Sequence, residues 1–168
     1  MTAVAVFYHL TRSGLDDTVR ALLTRAVAQG WQIMVRAPDL PVLTQLDDKL
    51  WLGPEDGFLP HGMAGGLHDS DQPVLLGSGA IGNAAKGLML LAGADTSAGE
   101  VAMLERVWVL FDGGDATAVQ AARGMWSRFV GWGLGAQYWS DDSGSWVKKM
   151  EKAADPGPDQ HQSGSDGR

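Results

Sequence analysis

The chain has 168 residues, of which 45% are hydrophobic and 20% are charged, a composition typical of one globular domain with a sizeable core. It contains no cysteine, which excludes disulfides, thiolate metal sites and cysteine nucleophiles. Thirteen lysines and arginines against twenty aspartates and glutamates give a net charge of −7, which argues against direct binding to nucleic acid through phosphate contacts.

The first half of the chain alternates strand-like and helix-like segments. An apolar run at residues 4–8 predicts a buried strand, and apolar residues at helical spacing over 19–27 predict a helix that ends at Gly30. Residues 31–35 predict a second strand and residues 42–50 a second helix. This order is typical of a parallel sheet covered by helices, so we predict an α/β fold.

The second half is richer in glycine, and its elements are less regular. We predict strands at 73–76, 107–111 and 135–139, the last of these being the final strand, a helix at 116–132, one helical turn at 101–104, and at 87–92 either a strand or a short buried helix. The segment 153–168 offers a core almost nothing to bury. We therefore expect a domain over residues 1–152 and a disordered tail over residues 153–168.

The first residues carry no sign of a targeting segment. The start Met1-Thr2-Ala3-Val4 lacks the basic and apolar regions of a signal peptide, and no apolar run approaches the roughly 18 residues of a membrane helix. We expect a cytoplasmic protein with no membrane contact.

Aromatic residues cluster around the end of the second predicted helix. Gly53 and Pro54 should stop that helix just after Trp51, because glycine accepts the left-handed conformation that follows a helix and proline cannot continue one. Phe58 and Pro60 follow across a short acidic turn. Trp51 and Phe58 either cap the core, as large aromatic residues usually do, or anchor an interface.

A G-x-G-x-x-G pattern runs from Gly77 to Gly82 after a predicted strand. In dinucleotide sites such glycines let the backbone approach a pyrophosphate at a helix N-terminus. The pattern lies midway along the chain, the segment after it has no clear helical stripe, and 23 glycines make chance matches common. A nucleotide-binding α/β enzyme that uses this loop is the alternative function.

The remaining polar residues do not assemble into a catalytic or metal site. His9, His61 and His68 lack the spacing of metal ligands, so we expect no metal. Asp112 and Asp115 follow a strand, where open α/β sheets place ligands, but a turn and a helix N-cap are favoured for them. No nucleophile has a base beside it. We expect no catalytic activity of the chain and no cofactor.

The helix predicted over 116–132 carries one informative face, which comprises Val119, Arg123, Trp126, Ser127 and Val130. A guanidinium beside apolar side chains suits the carboxylate of a chain that ends in an aromatic residue. An arginine that lies over a helix packed on the sheet is the other interpretation, and the spacing favours neither.

The sequence resembles the chi subunit of bacterial DNA polymerase III over roughly residues 3–150. The specific part of the resemblance is Leu50-Trp51 followed by Pro54, Phe58, Pro60-His61 and Ala64-Gly65, to which Val6-Phe7-Tyr8, Ala122-Arg123 and Gly133 add. It implies a non-catalytic adaptor of the clamp-loader complex. It also implies a single domain with a Rossmann-like, open, mostly parallel sheet, helices on both faces and no bound nucleotide.

The resemblance assigns two protein-binding surfaces. Arg123 corresponds to the arginine with which chi subunits bind the acidic C-terminal tail of single-stranded DNA-binding protein, and Trp126 to a neighbouring aromatic residue. Trp51, Phe58 and Pro60 correspond to the surface for the psi subunit of the clamp loader and for a repair helicase. DNA would be reached only through these proteins.

Two lysines that flank this arginine in other chi subunits fall on Val119 and Ser127 here. The tail would then be held with less positive charge, or with the help of Arg128 or another cation.

Overall fold

The computed structural model describes residues 3–53 and 59–155. Its strands are β1 (Val4–Leu10), β2 (Ile33–Arg36), β3 (Gly62–Met63), β4 (Val74–Gly77), β5 (Gly87–Leu90), β6 (Arg106–Asp112), β7 (Gly135–Ser140) and β8 (Val147–Lys152). Its helices are α1 (Leu15–Ala28), α2 (Leu40–Trp51), α3 (Ala98–Val101) and α4 (Ala116–Gly131), and a short 3₁₀ helix spans Asp69–Asp71.

These strands form one open sheet in the order β3-β4-β2-β5-β6-β1-β7-β8. Neighbouring strands are parallel except for β8, which runs antiparallel to β7. Helices α1 and α2 pack on one face of the sheet and α4 on the other. The predicted fold, a Rossmann-like, open and mostly parallel sheet with helices on both faces, is confirmed.

The central strands are buried on both faces of the sheet. Because successive side chains of a strand point to opposite faces, β1 sends Ala5 and Phe7 toward α4 and sends Val6 and Leu10 toward α1 and α2. This burial accounts for the uninterrupted apolar runs in the sequence, which are typical of parallel strands covered on both sides.

The predicted elements of the first half are confirmed, with their ends moved by up to four residues. Residues 87–90 form a strand, β5, which settles the choice between strand and helix. The helical turn predicted at 101–104 is wrong, since the turn is α3, three residues earlier. It begins there because the Ser97 hydroxyl accepts a hydrogen bond from the Glu100 N–H at 3.2 Å, which caps the helix.

The prediction that the strand at 135–139 is the last one is wrong, because β8 follows it. All six residues of β8 are exposed, three of them are lysines, and the strand has no apolar face that a sequence pattern could reveal. Short, lysine-rich strands of this kind are typical of sheet edges. Pairing with β7, a tertiary contact, makes this segment a strand.

The end of α2 is as predicted, but the reason given for Gly53 is wrong. Gly53 does not adopt the left-handed conformation, and a Cβ atom there would lie 2.0 Å from Arg20 Nη1. Arg20 of α1 donates from Nη1 to the Leu50 carbonyl at 3.3 Å and from Nη2 to the Lys49 carbonyl. Gly53 therefore leaves room for an arginine that satisfies the last carbonyls of the helix.

Just after β8, the Asp155 N–H donates to the Gly133 carbonyl at 3.1 Å. Of the tail predicted to be disordered, residues 156–168 lie outside the described residues. Across the two described ranges, no helix has the length and apolar character needed to cross a membrane.

Candidate functional site

The Gly77–Gly82 loop does not have the form of a dinucleotide site. Residues 78–86 contain no helix, so no helix N-terminus stands behind the glycines to face a pyrophosphate. Gly77 is required for packing instead, since a Cβ there would lie 2.8 Å from the Cβ of Ala64. The Gly79 carbonyl accepts a hydrogen bond from Arg36 Nε at 3.1 Å. These contacts give the glycines structural roles.

A cavity of about 690 Å³ opens at the carboxyl ends of β1, β5 and β6, where open α/β sheets place ligands. Its described lining is mostly apolar and includes Asp112 and Asp115 but no lysine, arginine or histidine. Asp112 closes a turn by accepting from the Gly114 N–H, and Asp115 caps α4 by accepting from the Thr117 and Ala118 N–H groups. The favoured structural roles of both aspartates are confirmed, and two carboxylates beside the helix N-terminus oppose a phosphate.

The three histidines, whose spacing in the sequence is unlike that of metal ligands, make different contacts in the structure. His61 is buried, its Nδ1 lies 2.7 Å from the Leu59 carbonyl oxygen and its Nε2 lies 3.1 Å from Asp47 Oδ1. His9 Nδ1 shares a hydrogen bond of 2.7 Å with the Tyr138 hydroxyl. His68 is exposed beside Asp71. Throughout residues 3–53 and 59–155, no three His, Asp or Glu side chains are arranged to hold a metal.

The predicted face of α4 borders a pocket of about 530 Å³ between this helix and β8, which we call the α4–β8 pocket. Its lining combines aromatic, apolar and charged side chains, namely His9, Arg123, Trp126, Ser127, Tyr138, Ser140, Asp142, Lys149 and Met150. The floor is aromatic, because the Trp126 and Tyr138 rings meet edge to face with centroids 6.2 Å apart.

Three of the five residues predicted for the peptide site line this pocket: Arg123, Trp126 and Ser127. Val119 and Val130 do not appear in its lining. Both are half-buried and pack against the core cluster between α4 and the sheet. The structure therefore groups the polar members of the predicted face with the tryptophan and assigns the two valines to packing.

Arg123 is exposed, and in the described part of the chain its guanidinium makes no hydrogen bond and no ion pair. Arg128, further along α4, already forms an ion pair with Asp95: its Nη1 and Nη2 lie 2.8 and 3.1 Å from the two carboxylate oxygens. Burial raises the pKa of the Tyr138 hydroxyl, and the charge of Arg123 lowers it by a smaller amount. The Tyr138 hydroxyl therefore stays protonated beside the charged Arg123, which has no anionic partner in the described part of the chain.

A second surface surrounds the C-terminus of α2. Trp51 is 55% exposed and Leu52 79% exposed, and Pro60 is half-buried nearby in the sequence. The Trp51 ring contacts the ring of the buried His61, with centroids 4.4 Å apart. Trp51 is therefore not a core residue, although its orientation is fixed by contacts. Phe58 lies outside the described residues. We call Trp51, Leu52 and Pro60 together the Trp51 surface.

A comparison with protein-family models matches residues 1–137 to the family described as DNA polymerase III chi subunit, HolC. This chain belongs to the chi subunit family of DNA polymerase III. A comparison with individual curated proteins found no match. The resemblance inferred from the sequence is confirmed, and this chi-family chain is an accessory subunit in DNA replication.

The matched region of this chi-family chain includes the Trp51 surface and Arg123, but it ends within β7. β8 lies beyond it and completes the pocket. Sequence reasoning missed His9, Tyr138, Lys149 and Met150 as pocket residues. No signal near Lys149 or Met150 could have identified them, because their position depends on how β8 pairs with β7.

Proposed function

We propose that this chi-family chain is a non-catalytic, cytoplasmic adaptor that links the clamp loader of DNA polymerase III to single-stranded DNA-binding protein. It does so by holding the acidic C-terminal tail of that protein in the α4–β8 pocket. The observation that carries the proposal is the guanidinium of Arg123, which has no hydrogen-bond or ion-pair partner among the described residues and lies at an aromatic pocket open to solvent.

The chemistry of the pocket fits a peptide that ends in an aromatic residue. A terminal carboxylate can accept two parallel hydrogen bonds from the Arg123 guanidinium, and the side chain of the last residue can pack on Trp126 and Met150. Hydrogen bonds to charged groups contribute about 1.5–3 kcal/mol, with the lower end suited to an exposed arginine. A peptide without its aromatic end would keep the ion pair and lose the packing.

The charge of the chain supports an indirect role at DNA. With a net charge of −7, the protein as a whole repels a phosphate backbone. Contact with DNA would then be made by the single-stranded DNA-binding protein, whose acidic tail is the part that a local cation can attract. The chi-family chain needs no DNA-binding surface of its own for this role.

The Trp51 surface, together with Phe58, is proposed as the site for the psi subunit of the clamp loader or for a repair helicase. Large exposed aromatic side chains commonly supply the central contacts of protein interfaces. Trp51 is held against His61, so it loses little conformational freedom on binding. Helix α2, which carries Trp51, packs on the opposite face of the sheet from α4, so the two proposed sites are on separate surfaces.

The peptide site is tested with a fluorescent synthetic peptide that has an acidic stretch and a C-terminal phenylalanine. Arg123→Ala should weaken binding by about 10- to 100-fold, as expected from losing a charge-assisted hydrogen-bond pair. Arg128→Ala is the matched control, because its guanidinium is already paired with Asp95, and it should leave the affinity unchanged. Normal affinity in the Arg123 variant would reject this site, and retained affinity for a peptide without phenylalanine would reject the aromatic contact.

The second surface is tested by association with purified psi subunit, clamp loader or helicase in size-exclusion chromatography. Trp51→Ala and Phe58→Ala should impair association and leave peptide affinity intact. Met103→Ala, an exposed apolar residue after α3, is the control for a general loss of apolar surface. Loss of peptide binding in the Trp51 variant would mean that the two surfaces are not independent.

A further inference from the structure

β8 supplies two side chains to the α4–β8 pocket, Lys149 and Met150, although the strand lies beyond the region that the family model matches. Opposite them, α4 supplies a single lysine or arginine to the lining, Arg123, and at the next turn it has Ser127. The pocket thus draws its positive charge from two elements that are distant in sequence.

A β-bulge directs Lys149 into the pocket. Tyr138 of β7 pairs with Met150, and Trp139 pairs with Lys148, so Lys149 is an extra residue without a partner on β7. An extra residue of this kind bends the strand and re-aims its side chain, and bulges recur beside binding sites for that reason. In a regular strand, Lys149 and Met150 would point to opposite faces, whereas here both line the same pocket.

The neighbouring Lys148 shows what the bulge changes. It stands opposite Trp139, whose side chain packs with the core cluster on the α1 and α2 face, and its ammonium pairs with Glu151 at 2.8 Å. Lys148 and Lys149 are therefore adjacent in sequence, equal in charge and directed to different surroundings. They form a natural matched pair for experiment.

Lys149 already forms an ion pair within the pocket. Its Nζ lies 3.5 Å from Asp142 Oδ1, and Asp142 also lines the pocket. Both side chains are about half exposed, so the pair is easily broken and can be exchanged for another carboxylate. The pocket thus contains a carboxylate of its own that pairs with Lys149, while Arg123 has no such partner within residues 3–53 and 59–155.

We propose that Lys149 is a specificity-determining residue that binds a side-chain carboxylate in the acidic stretch of the peptide, and that Asp142 competes with the peptide for it. This inference rests on the proposed function and deepens it. Arg123, with its planar guanidinium, suits the terminal carboxylate, whereas the ammonium of Lys149 on its flexible side chain can donate hydrogen bonds to carboxylates at several positions. Met150, which pairs with Tyr138 across β7 and β8, adds an apolar side chain to the same pocket.

The test measures peptide affinity by fluorescence anisotropy in the full-length protein at several salt concentrations. Lys149→Ala should weaken binding by about two- to fivefold, the range of a partly exposed ion pair, and should reduce the dependence of affinity on salt. Asp142→Asn should tighten binding by about two- to threefold, because it removes the competing carboxylate. Lys148→Ala should change neither quantity.

Two further measurements separate a charge effect from a structural one. With a peptide whose acidic residues are replaced by asparagine, Lys149→Ala should have no effect, so a double-mutant cycle should show coupling between Lys149 and those residues. Adding Ser127→Lys to Lys149→Ala should restore affinity, because Ser127 lines the same pocket.

The outcomes are distinct. Loss of binding in Arg123→Ala with unchanged affinity in Lys149→Ala overturns this inference and leaves the proposed function standing. An equal effect of Lys148→Ala, or an effect of Lys149→Ala that persists with the neutral peptide, also overturns it. Unchanged affinity in both the Arg123 and the Lys149 variants rejects the peptide site itself.

Discussion

Replacing Asp141 should destabilise the protein more than its place in a surface turn suggests. Asp141 is 2% exposed and lies just after β7, at the carboxyl edge of the sheet. Its carboxylate accepts from the Thr11 N–H at 2.7 Å and the Thr11 hydroxyl at 2.8 Å. It also accepts from the Arg12 N–H at 3.2 Å and the Ser13 N–H at 2.6 Å. One side chain thus fixes the loop between β1 and α1.

The expected magnitude follows from these donors. Asp141→Ala leaves three backbone N–H groups and a hydroxyl without their acceptor, at about 1 kcal/mol each. Since some donors will find water, we expect a loss of about 3–4 kcal/mol in the free energy of unfolding. For a domain of this size the melting temperature should fall by about 6–16 °C. Asp141→Asn keeps one acceptor oxygen and should lose about half as much.

The pH dependence of stability gives an independent check. Burial raises the pKa of the Asp141 carboxyl, but hydrogen bonds from Ser13 and Thr11 lower it further, so that it lies well below its ordinary value. A carboxyl whose pKa is lower in the folded state stabilises the fold above its unfolded pKa of about 3.9, and this contribution is lost as the pH falls toward the folded pKa. The wild-type protein should therefore lose more stability than Asp141→Asn between about pH 5 and pH 2.

The assay is urea denaturation, followed by circular dichroism and tryptophan fluorescence, over this pH range. Asp142→Asn is the matched control, since the adjacent carboxylate is half exposed and its ion pair with Lys149 should contribute less than about 1 kcal/mol. A loss below about 1 kcal/mol for Asp141→Ala, or the same pH profile in wild type and Asp141→Asn, would refute the reasoning.

Two further predictions concern the core. Glu100→Gln should lower the free energy of unfolding by about 3 kcal/mol in urea denaturation, because both Glu100 oxygens lie 2.7 Å from guanidinium nitrogens of the buried Arg36, whose charge would lose this carboxylate. An unchanged denaturation midpoint would contradict this. Gly87→Ala should lower the melting temperature markedly, because a Cβ there would lie 2.4 Å from the Trp108 ring. Gly99→Ala in α3 is the control: a Cβ there would meet no atom within 4 Å, so this substitution should be neutral or slightly stabilising. Equal melting temperatures for the two glycine variants would refute the steric argument.

The elements that sequence reasoning found are those with a strong local signal. The helix predicted at 116–132 is α4, capped by Asp115 and followed by Gly133 at a positive φ of 90°. Helical periodicity, caps and terminal glycines act within a few residues, so they are visible in the sequence alone. The short apolar strands were found for the same reason, and their order predicted the parallel sheet.

The candidate site was predicted in part. Helical spacing placed Arg123, Trp126 and Ser127 on one face of the helix, and the resemblance to chi subunits predicted that this face binds a peptide. Spacing also included Val119 and Val130, because one helix turn does not reveal where the sheet begins to cover the helix. The sequence also did not decide whether Trp51 is exposed, since large aromatic residues occur both in cores and at interfaces.

The sequence by itself determined the order of helices and strands, the family and the arginine on α4. Tertiary structure decided that a charged segment without an apolar face becomes β8, that its bulge turns Lys149 into the pocket, and that Gly53 makes room for Arg20. The physical reason is the range of the forces involved. Backbone preferences and periodicity are set by near neighbours in the chain, whereas strand pairing, close approach and charge complementarity depend on residues that meet only after the chain has folded.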